Sequence, residues 1–299
     1  MNSHFSPQYR NKVRFIAAIA VAVFAFSSLA ASSIVVTDDR GENLVLMTPA
    51  RRIVTLAPFI TELVYAAGAG PELAGVSAYS DYPQQAASIM RVGDATHIDL
   101  ERIAALRPDL VLAWESGNHV RDVAKLEALG ISIFVMEPTK LSDIPRLLRR
   151  VGMLAGTSDI AEVAARKFES KLAVLTKQYS TKRPVRVFYE VWNAPLMTVN
   201  GAHVISSVLR LCGGVNVFAA SRVLTPVISP ESLVAADPDA IISSVARDSV
   251  WQRFAMLDAV RNHRVFFVPP ELLERQSPRI LEGASEVCSK LDQVRRARK

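Results

Sequence analysis

Apolar and polar residues follow one another along residues 34–137 in blocks that predict strands separated by helices. Short apolar runs bounded by turn residues predict two strands within 34–48 and further strands over 51–56, 73–79, 109–114 and 131–137. Apolar residues at helical spacing, each run followed by glycine, predict helices over 57–68 and 119–130. Strands that alternate with helices in this way are typical of parallel β/α units.

The second half of the chain repeats this arrangement after one long amphipathic segment. Residues 157–180 contain neither Gly nor Pro, and their apolar positions recur at helical spacing, which predicts a single long helix. Beyond it the same reasoning predicts strands over 185–192 and 239–244, an apolar run over 265–270, and helices over 203–214, from Pro230 onward and over 278–294. We therefore expect two α/β lobes linked by one helix.

One short pattern occurs in both halves, in residues 99–114 (DLERIAALRPDLVLAW) and 229–244 (SPESLVAADPDAIISS). Each copy has a glutamate, Glu101 or Glu231, followed by Pro-Asp seven and eight residues later and then by an apolar run. Asp99 and Ser229 are predicted helix N-caps, so each glutamate takes the second position of its helix. An acidic side chain there is stabilised by the helix dipole by about 0.3–1 kcal/mol, which alone could account for both glutamates.

The N-terminus has the pattern of a secretory signal peptide, predicted over residues 1–31. Arg10, Lys12 and Arg14 precede an uncharged apolar run over 15–30, and the small residues SLAASS follow. A membrane anchor is the alternative, but a spanning helix needs roughly 20 apolar residues and this run is shorter. Cleavage after Ala30 or Ala31 would release the chain into a periplasm.

Composition and motifs disfavour several classes of protein. The formal charge of +6 is concentrated at the two termini and the region between them is nearly balanced, so no nucleic-acid interface is predicted. G-x-S-x-G, H-E-x-x-H, P-loop and G-x-G-x-x-G motifs are absent from the sequence, which disfavours an enzyme but leaves a paired-carboxylate hydrolase open. The five histidines are isolated, so no metal site is predicted. Cys212 and Cys288 favour a disulfide in an exported chain, with two buried thiols as the alternative.

Several longer stretches resemble a known family. RRIVTLAPFITELVYAAG (51–68) resembles the periplasmic binding proteins of the cobalamin and ferric-siderophore importers, and the segments closest to the cobalamin branch are 75–83, 100–118, 209–218, 221–223 and 274–288. The resemblance implies two Rossmann-like α/β lobes joined by a single long rigid helix. It implies domains over 32–152 and 183–299 with a linker helix over 153–182, a Cys212–Cys288 disulfide, no resident cofactor, and a monomer in the periplasm.

The resemblance also implies a ligand site between the lobes. Pro58, Tyr79, Trp114 and Arg275 match its contributors, Glu271 stands in place of an aspartate, and Trp192 lies beside a position that is phenylalanine in the family. The chain departs from the cobalamin branch where Thr96 and His97, and later Thr225 before Pro226, occupy places that hold tryptophans. The expected ligand is therefore a corrinoid, either vitamin B12 or a precursor such as cobinamide.

Two further points follow from the resemblance. Glu101 and Glu231 match the glutamates, one on each lobe, that dock on the permease dimer of an ATP-driven importer with its ATPase subunits. Haem or a ferric siderophore is the alternative ligand. The candidate axial ligands for haem are Tyr79, Tyr82, His97 and His119, whereas Arg275 is the only basic residue placed at a siderophore site.

Overall fold

The computed structural model describes residues 33–94, 97–245 and 248–297. The predicted signal peptide and Thr96 lie outside these ranges. Among the described residues, the model contains no helix that is both long and apolar enough to span a membrane.

The first lobe is built on a four-stranded parallel sheet preceded by an antiparallel hairpin. Its strands are β1 Ile34–Thr37, β2 Asn43–Leu46, β3 Ile53–Thr55, β4 Leu73–Val76, β5 Leu110–Trp114 and β6 Ile133–Met136, and its helices are α1 Pro58–Ala66, α2 Leu100–Leu106, α3 Val120–Ala128 and α4 Asp143–Ala155. The sheet order is β4-β3-β5-β6, with β1 and β2 paired separately. Short 3₁₀ turns cover Gly70–Glu72 and Gln84–Ser88.

A single long helix, α5 Ser158–Tyr179, follows the first lobe. Its 22 residues span about 33 Å at 1.5 Å per residue. It packs closely on α4. The approach is so close at Gly152 that an added side chain there would clash with Ala161 on α5. The predicted long helix is confirmed, and its bounds lie inside the predicted range of 157–180.

The second lobe repeats the architecture with a second four-stranded parallel sheet of order β10-β7-β11-β12. Its strands are β7 Val185–Glu190, β8 Trp192–Asn193, β9 Leu196–Met197, β10 Gly214–Asn216, β11 Ala240–Ser243 and β12 Val265–Phe267, and its helices are α6 Val204–Leu211, α7 Pro230–Ala236, α8 Asp258–Arg261, α9 Pro270–Leu273 and α10 Ile280–Ala297. A 3₁₀ segment covers Asp248–Phe254. β8 and β9 form a separate small hairpin.

The Cys212–Cys288 disulfide is confirmed. It joins the end of α6 to the middle of α10, with an S–S distance of 2.02 Å between residues 76 positions apart. Both cysteines are fully buried in the core of the second lobe, so the bond ties two helices that cover the same sheet.

Several predicted elements were wrong in extent. The strand predicted over 73–79 ends at Val76, and the helix predicted over 203–214 ends at Leu211, so that Gly214 begins the unpredicted strand β10. The strand predicted over 185–192 ends at Glu190, and Trp192 lies in the β8–β9 hairpin instead. The reason is local: Ala194-Pro195 turns the chain back within a few residues, and Trp192 pairs with Met197 across that turn. The final helix begins at Ile280, slightly later than predicted, and continues to Ala297.

Candidate functional site

The candidate ligand residues lie at the carboxyl-terminal edges of the two sheets. On the first lobe, Pro58 follows β3, Tyr79 follows β4, and Trp114 ends β5. On the second lobe Trp192 follows β7, and Glu271 and Arg275 follow β12. Ligands of open parallel sheets bind beyond this edge. The space between the two edges is called the cleft below.

Arg275 joins the two edges directly. Its Nη1 atom lies 3.0 Å from Glu62 Oε1 and 2.6 Å from Asp81 Oδ1, and its Nη2 atom donates to the Tyr79 carbonyl oxygen at 3.1 Å. Burial works against its charge, but the bonds to Asp81 and Glu62 outweigh burial and raise the pKa of Arg275. The bond from Arg275 in turn lowers the pKa of Asp81. This ion-pair group therefore holds the lobes against each other.

Glu62 is the centre of that contact. It lies on α1 with 3% of its surface exposed, yet it accepts hydrogen bonds from Arg275, from Ser277 Oγ at 2.5 Å and from Arg279 at 3.4 Å. All three donors come from the segment between α9 and α10 of the other lobe. A buried carboxylate needs such partners, because an unpaired buried charge is costly.

Tyr79 adopts a left-handed backbone conformation with φ of 62°, which is unfavourable for a residue with a side chain. The hydrogen bond from Arg275 to its carbonyl holds this turn in place. The tyrosine side chain itself is 76% exposed, so its ring is available at the cleft.

Trp114 packs against the start of α1 on the first lobe, at the residue after Pro58. The Trp114 ring stands edge-on to Phe59, with centroids 5.6 Å apart and planes at 86°, and Phe59 follows Pro58 at the start of α1. The side chain of Asn118 accepts from the Trp114 backbone N–H at 2.7 Å and donates to the Leu56 carbonyl at 3.1 Å. These contacts fix the half-buried indole at the end of β5.

Trp192 and Glu271 are both exposed on the second lobe. The Trp192 indole nitrogen donates to the Ala194 carbonyl oxygen at 2.9 Å, which ties the ring to its own hairpin. Glu271 lies in the first turn of α9. Within the described ranges, no hydrogen bond or ring contact links either residue to Tyr79 or Trp114, so the structure does not bring these four side chains together.

A buried carboxyl group, that of Glu190, and a half-buried one, that of Glu274, lie at the second edge and were not predicted. Glu190 ends β7 and accepts from Ser243 Oγ at 2.5 Å, and Glu274 accepts from Ser244 Oγ at 2.5 Å and from the Tyr189 hydroxyl at 3.2 Å. Burial raises the pKa of both carboxyl groups. Among the described residues, neither of these groups has an arginine partner of the kind that Glu62 has, whose carboxylate accepts hydrogen bonds from Arg275 and Arg279.

Glu101 and Glu231 are exposed at the second positions of α2 and α7. The Asp99 and Ser229 side chains cap these helices by accepting from the backbone N–H of Arg102 and of Ser232. The pKa of Glu231 is lowered first by its own backbone N–H and then by the Ser229 side chain. The predicted caps are thus present in both lobes.

The predicted haem ligands are scattered. Tyr82 packs beneath the guanidinium group of Arg279, which lies 4.0 Å from its ring centre. His97 precedes α2 and His119 precedes α3, and both are exposed. Across the described part of the chain, no three His, Cys, Asp or Glu side chains are grouped as metal ligands.

Comparison with known proteins gives one consistent result. A family model described as periplasmic binding protein matches residues 53–272. The vitamin B12-binding protein of Vibrio cholerae serotype O1 is 38% identical over 247 residues, covering 81% of this chain and 90% of that protein. The vitamin B12-binding protein of Vibrio parahaemolyticus is 35% identical over 254 residues, covering 84% of this chain and 92% of that protein.

Solved structures agree with these relatives. The crystal structure of the periplasmic vitamin B12-binding protein BtuF of Vibrio cholerae matches with a TM-score of 0.79 and 37% identity, covering 83% of this chain and 98% of that one. The periplasmic heme-binding protein RhuT from Roseiflexus sp. RS-1 matches with a TM-score of 0.74 at 22% identity, covering 82% and 99%. The second likeness is one of fold alone.

Proposed function

The chain belongs to the periplasmic binding protein family, and we propose that it captures a corrinoid between its two lobes and delivers it to an ABC transporter. The observation that carries the proposal is the 38% identity to a vitamin B12-binding protein over 81% of the chain, together with the matching two-lobed fold. The signal peptide over 1–31, the domains over 32–152 and 183–299 and the linker over 153–182 are part of the same proposal. As a monomer in the periplasm, the mature protein would act by binding rather than by catalysis.

In the proposed site, aromatic residues contact the face of the ligand and polar residues contact its amide-bearing rim. Tyr79 and Trp114 offer large contact areas from the first lobe, beside Pro58. Trp192, Glu271 and Arg275 would contribute from the second lobe. Both terminal nitrogens of Arg275 already bond the first lobe, so a ligand that contacts Arg275 must share or exchange those bonds.

The choice between intact vitamin B12 and a precursor depends on the altered positions. His97 and Thr225 stand where the cobalamin branch has tryptophans, which reduces the aromatic area available to the ligand. Fewer ring contacts favour a smaller corrinoid, because a buried aromatic side chain supplies 150–250 Å² of contact, on the order of several kcal/mol. We therefore include cobinamide, which lacks the lower nucleotide, among the proposed ligands.

The decisive experiment is a titration of the purified mature chain with cyanocobalamin, dicyanocobinamide and haemin, followed by calorimetry and visible absorption. Saturable binding of either corrinoid with one site per chain supports the proposal. Saturable binding of haemin alone, with a strong Soret band, would show that the ligand is haem and would contradict the proposal. Haem is kept as the comparison ligand because heme-binding proteins share the fold, although their identity to this chain is low.

Delivery would use the two exposed glutamates, one on each lobe. We propose that Glu101 and Glu231 enter basic pockets on the two permease subunits, whose ATPase subunits drive transport. Charge pairs across an interface can couple by about 1.5–7 kcal/mol, so two such contacts would suffice to set the orientation of docking. Both glutamates lie at starts of short helices, which present their side chains to solvent.

A further inference from the structure

A cavity of about 390 Å³ lies against the long helix α5. Three parts of the chain line it: α1 and residues 82–83 of the first lobe, α5 itself, and residues 278–282 of the second lobe. Its volume is within the range of small-molecule sites, roughly 300–1,000 Å³. None of the six proposed corrinoid contacts lines it.

The cavity has an apolar base. Phe168 and Leu281 are each 3% exposed, and Ala66, Ala164 and Pro278 complete the surface between them. Tyr65 and Tyr82 add aromatic rings from the first lobe. An aromatic or aliphatic body would therefore be buried here with a favourable transfer free energy.

The rim of the cavity is basic. Lys167 and Lys171 lie one turn apart on α5, so both ammonium groups belong to the same face of the helix. Among the residues that the structure describes, neither lysine forms an ion pair with a carboxylate. Arg279 completes the rim on the opposite side, where its guanidinium group covers Tyr82.

The acidic residues at the cavity limit the charge it can accept. Glu62 is bonded by Arg275, Ser277 and Arg279, which neutralise it. Glu282 is exposed on the rim and supplies one negative charge against the cations of Lys167 and Lys171. The balance suits a single negative charge on the occupant rather than two.

We infer that this cavity binds a small organic monoanion with a planar apolar body, of the class of aromatic carboxylates, with the carboxylate between Lys167 and Lys171. None of the six proposed corrinoid contacts lines this site, although Glu62 borders both the site and the ion pair with Arg275. Because its walls come from both lobes and from α5, an occupant would contact all three at once.

The test uses fluorine NMR of 4-fluorobenzoate with the purified mature chain, and 4-fluorobenzamide as the neutral probe of the same shape. We expect saturable binding of the carboxylate, weakened about tenfold in the amide, because the neutral amide cannot form the charge-assisted hydrogen bonds to the lysines. The double variant Lys167→Gln, Lys171→Gln should lose affinity to the same extent. Gln keeps the helix propensity and most of the length of the lysine side chain.

Matched variants separate the possible outcomes. Lys177→Gln removes a charge from an exposed position on the same helix but outside the cavity and should leave 4-fluorobenzoate affinity within about twofold. Trp114→Ala, in the cleft, should also leave it unchanged. Equal binding of benzoate and benzamide, loss of binding in Trp114→Ala, or unchanged affinity in the double lysine variant would each overturn the inference, as would the absence of saturable binding by the unmodified chain.

Discussion

The two copies of the repeated pattern, residues 99–114 and 229–244, are built alike down to individual hydrogen bonds. α2 and α7 each have seven residues. The residue directly after each helix has a positive φ, 46° at Arg107 and 33° at Asp237. Proline follows in both copies and stops the helix. The shared sequence therefore specifies a helix of fixed length that leads into a buried strand.

The aspartate after each proline anchors the unit to its sheet. Asp109 accepts from the backbone N–H of Arg51 and Arg52, and Asp239 accepts from that of Arg186. The side chains of Arg52 and Arg186 then donate to the last carbonyls of α2 and α7, at Leu106 and Ala236. These bonds explain the Pro-Asp part of the pattern in structural terms.

The surroundings of the two glutamates differ, although the scaffold beneath them does not. Glu231 borders a groove that includes Val234 and Met256, which are 38% and 57% exposed, and Arg253. Glu101 is followed by Arg102 and by exposed alanines. The comparison teaches that the same local unit presents two different surfaces, so the lobes need not contribute equally to docking.

The largest effect should come from reversing both glutamates. Glu101→Lys with Glu231→Lys should abolish corrinoid uptake by cells, because each change places a like charge against a basic pocket. Ligand affinity of the purified protein should stay nearly unchanged. Single reversals should give intermediate defects, and unequal ones would assign the greater share to one lobe. Normal uptake by the double variant would leave the helix dipole as the whole explanation.

The next largest effect should come from removing the disulfide, which lies in the second lobe. Cys212→Ala with Cys288→Ala should lower the free energy of unfolding by about 4 kcal/mol, the loop-entropy value for a separation of 76 residues. Hydrogen exchange should accelerate in β7 and β11 more than in β3 and β5, because only the second lobe carries the bond. Equal acceleration in both sheets would show that the two lobes unfold as one unit.

Glu62 should contribute to stability in its charged form, whereas Glu190 and Glu274 should contribute in their protonated forms. Glu62→Gln should lower stability at pH 7 by about 1.5–3 kcal/mol, since Arg275 and Arg279 lose a charged acceptor. Glu190 and Glu274 have raised pKa values, so folding favours their protonated forms. Their contribution is fully present below the unfolded pKa, near 4.3, and is lost as pH rises through the folded pKa.

In the double variant Glu190→Gln, Glu274→Gln, the free energy of unfolding should no longer decline as the pH rises through the folded pKa values of these two groups. Urea denaturation at a series of pH values from about 4 to 8 would measure it, with the unmodified protein as the reference. A decline of the same size in the variant would show that neither carboxyl group is responsible for it.

The two tryptophans should differ in ligand binding. Trp114→Ala should weaken corrinoid affinity by roughly 1–3 kcal/mol, because a half-buried ring held by Phe59 offers a fixed contact. Trp192→Ala should have a smaller effect, since that ring is 56% exposed and bonded to its own hairpin. Calorimetry on both variants measures the two losses of corrinoid affinity. A larger loss in Trp192→Ala than in Trp114→Ala would contradict the prediction.

The smallest effect concerns the two arginines beneath the helices. Arg52→Ala and Arg186→Ala should each lower stability by about 0.5–1.5 kcal/mol, the usual net value of one hydrogen bond. Thermal unfolding should give similar shifts for both variants if the two units are energetically equivalent. A shift for only one of them would limit the equivalence to geometry.

Local sequence signals predicted most of the longer elements but not the short elements β8 to β10, α8 and α9, nor the longer helix α4. The segment Asp143–Ala155 contains Pro145 and Gly152, which are unfavourable inside a helix. Pro145 is tolerated because it lies in the first turn, and Gly152 is required because α5 approaches it at Ala161. That approach is a tertiary contact, so the sequence of α4 alone does not reveal it.

The candidate site was predicted in part. The predicted positions of Tyr79, Trp114 and Arg275 follow from strand ends and from family resemblance. The contact of Glu62 with Arg275 was missed because it joins residues 213 positions apart. A signal was available, since Thr61 and Glu62 interrupt an otherwise apolar run in α1, but the partners of Glu62 could not be identified without the relative placement of the lobes.

The position of Glu62 has a consequence for the order in which the protein is assembled. The first lobe is synthesised well before residues 275–279, which within the described part of the chain hold the hydrogen-bond donors to this carboxylate. A first lobe that folds early would therefore carry an unsatisfied carboxylate at its edge. Completion of that edge must wait for the last part of the chain, which makes the cleft one of the final features to form.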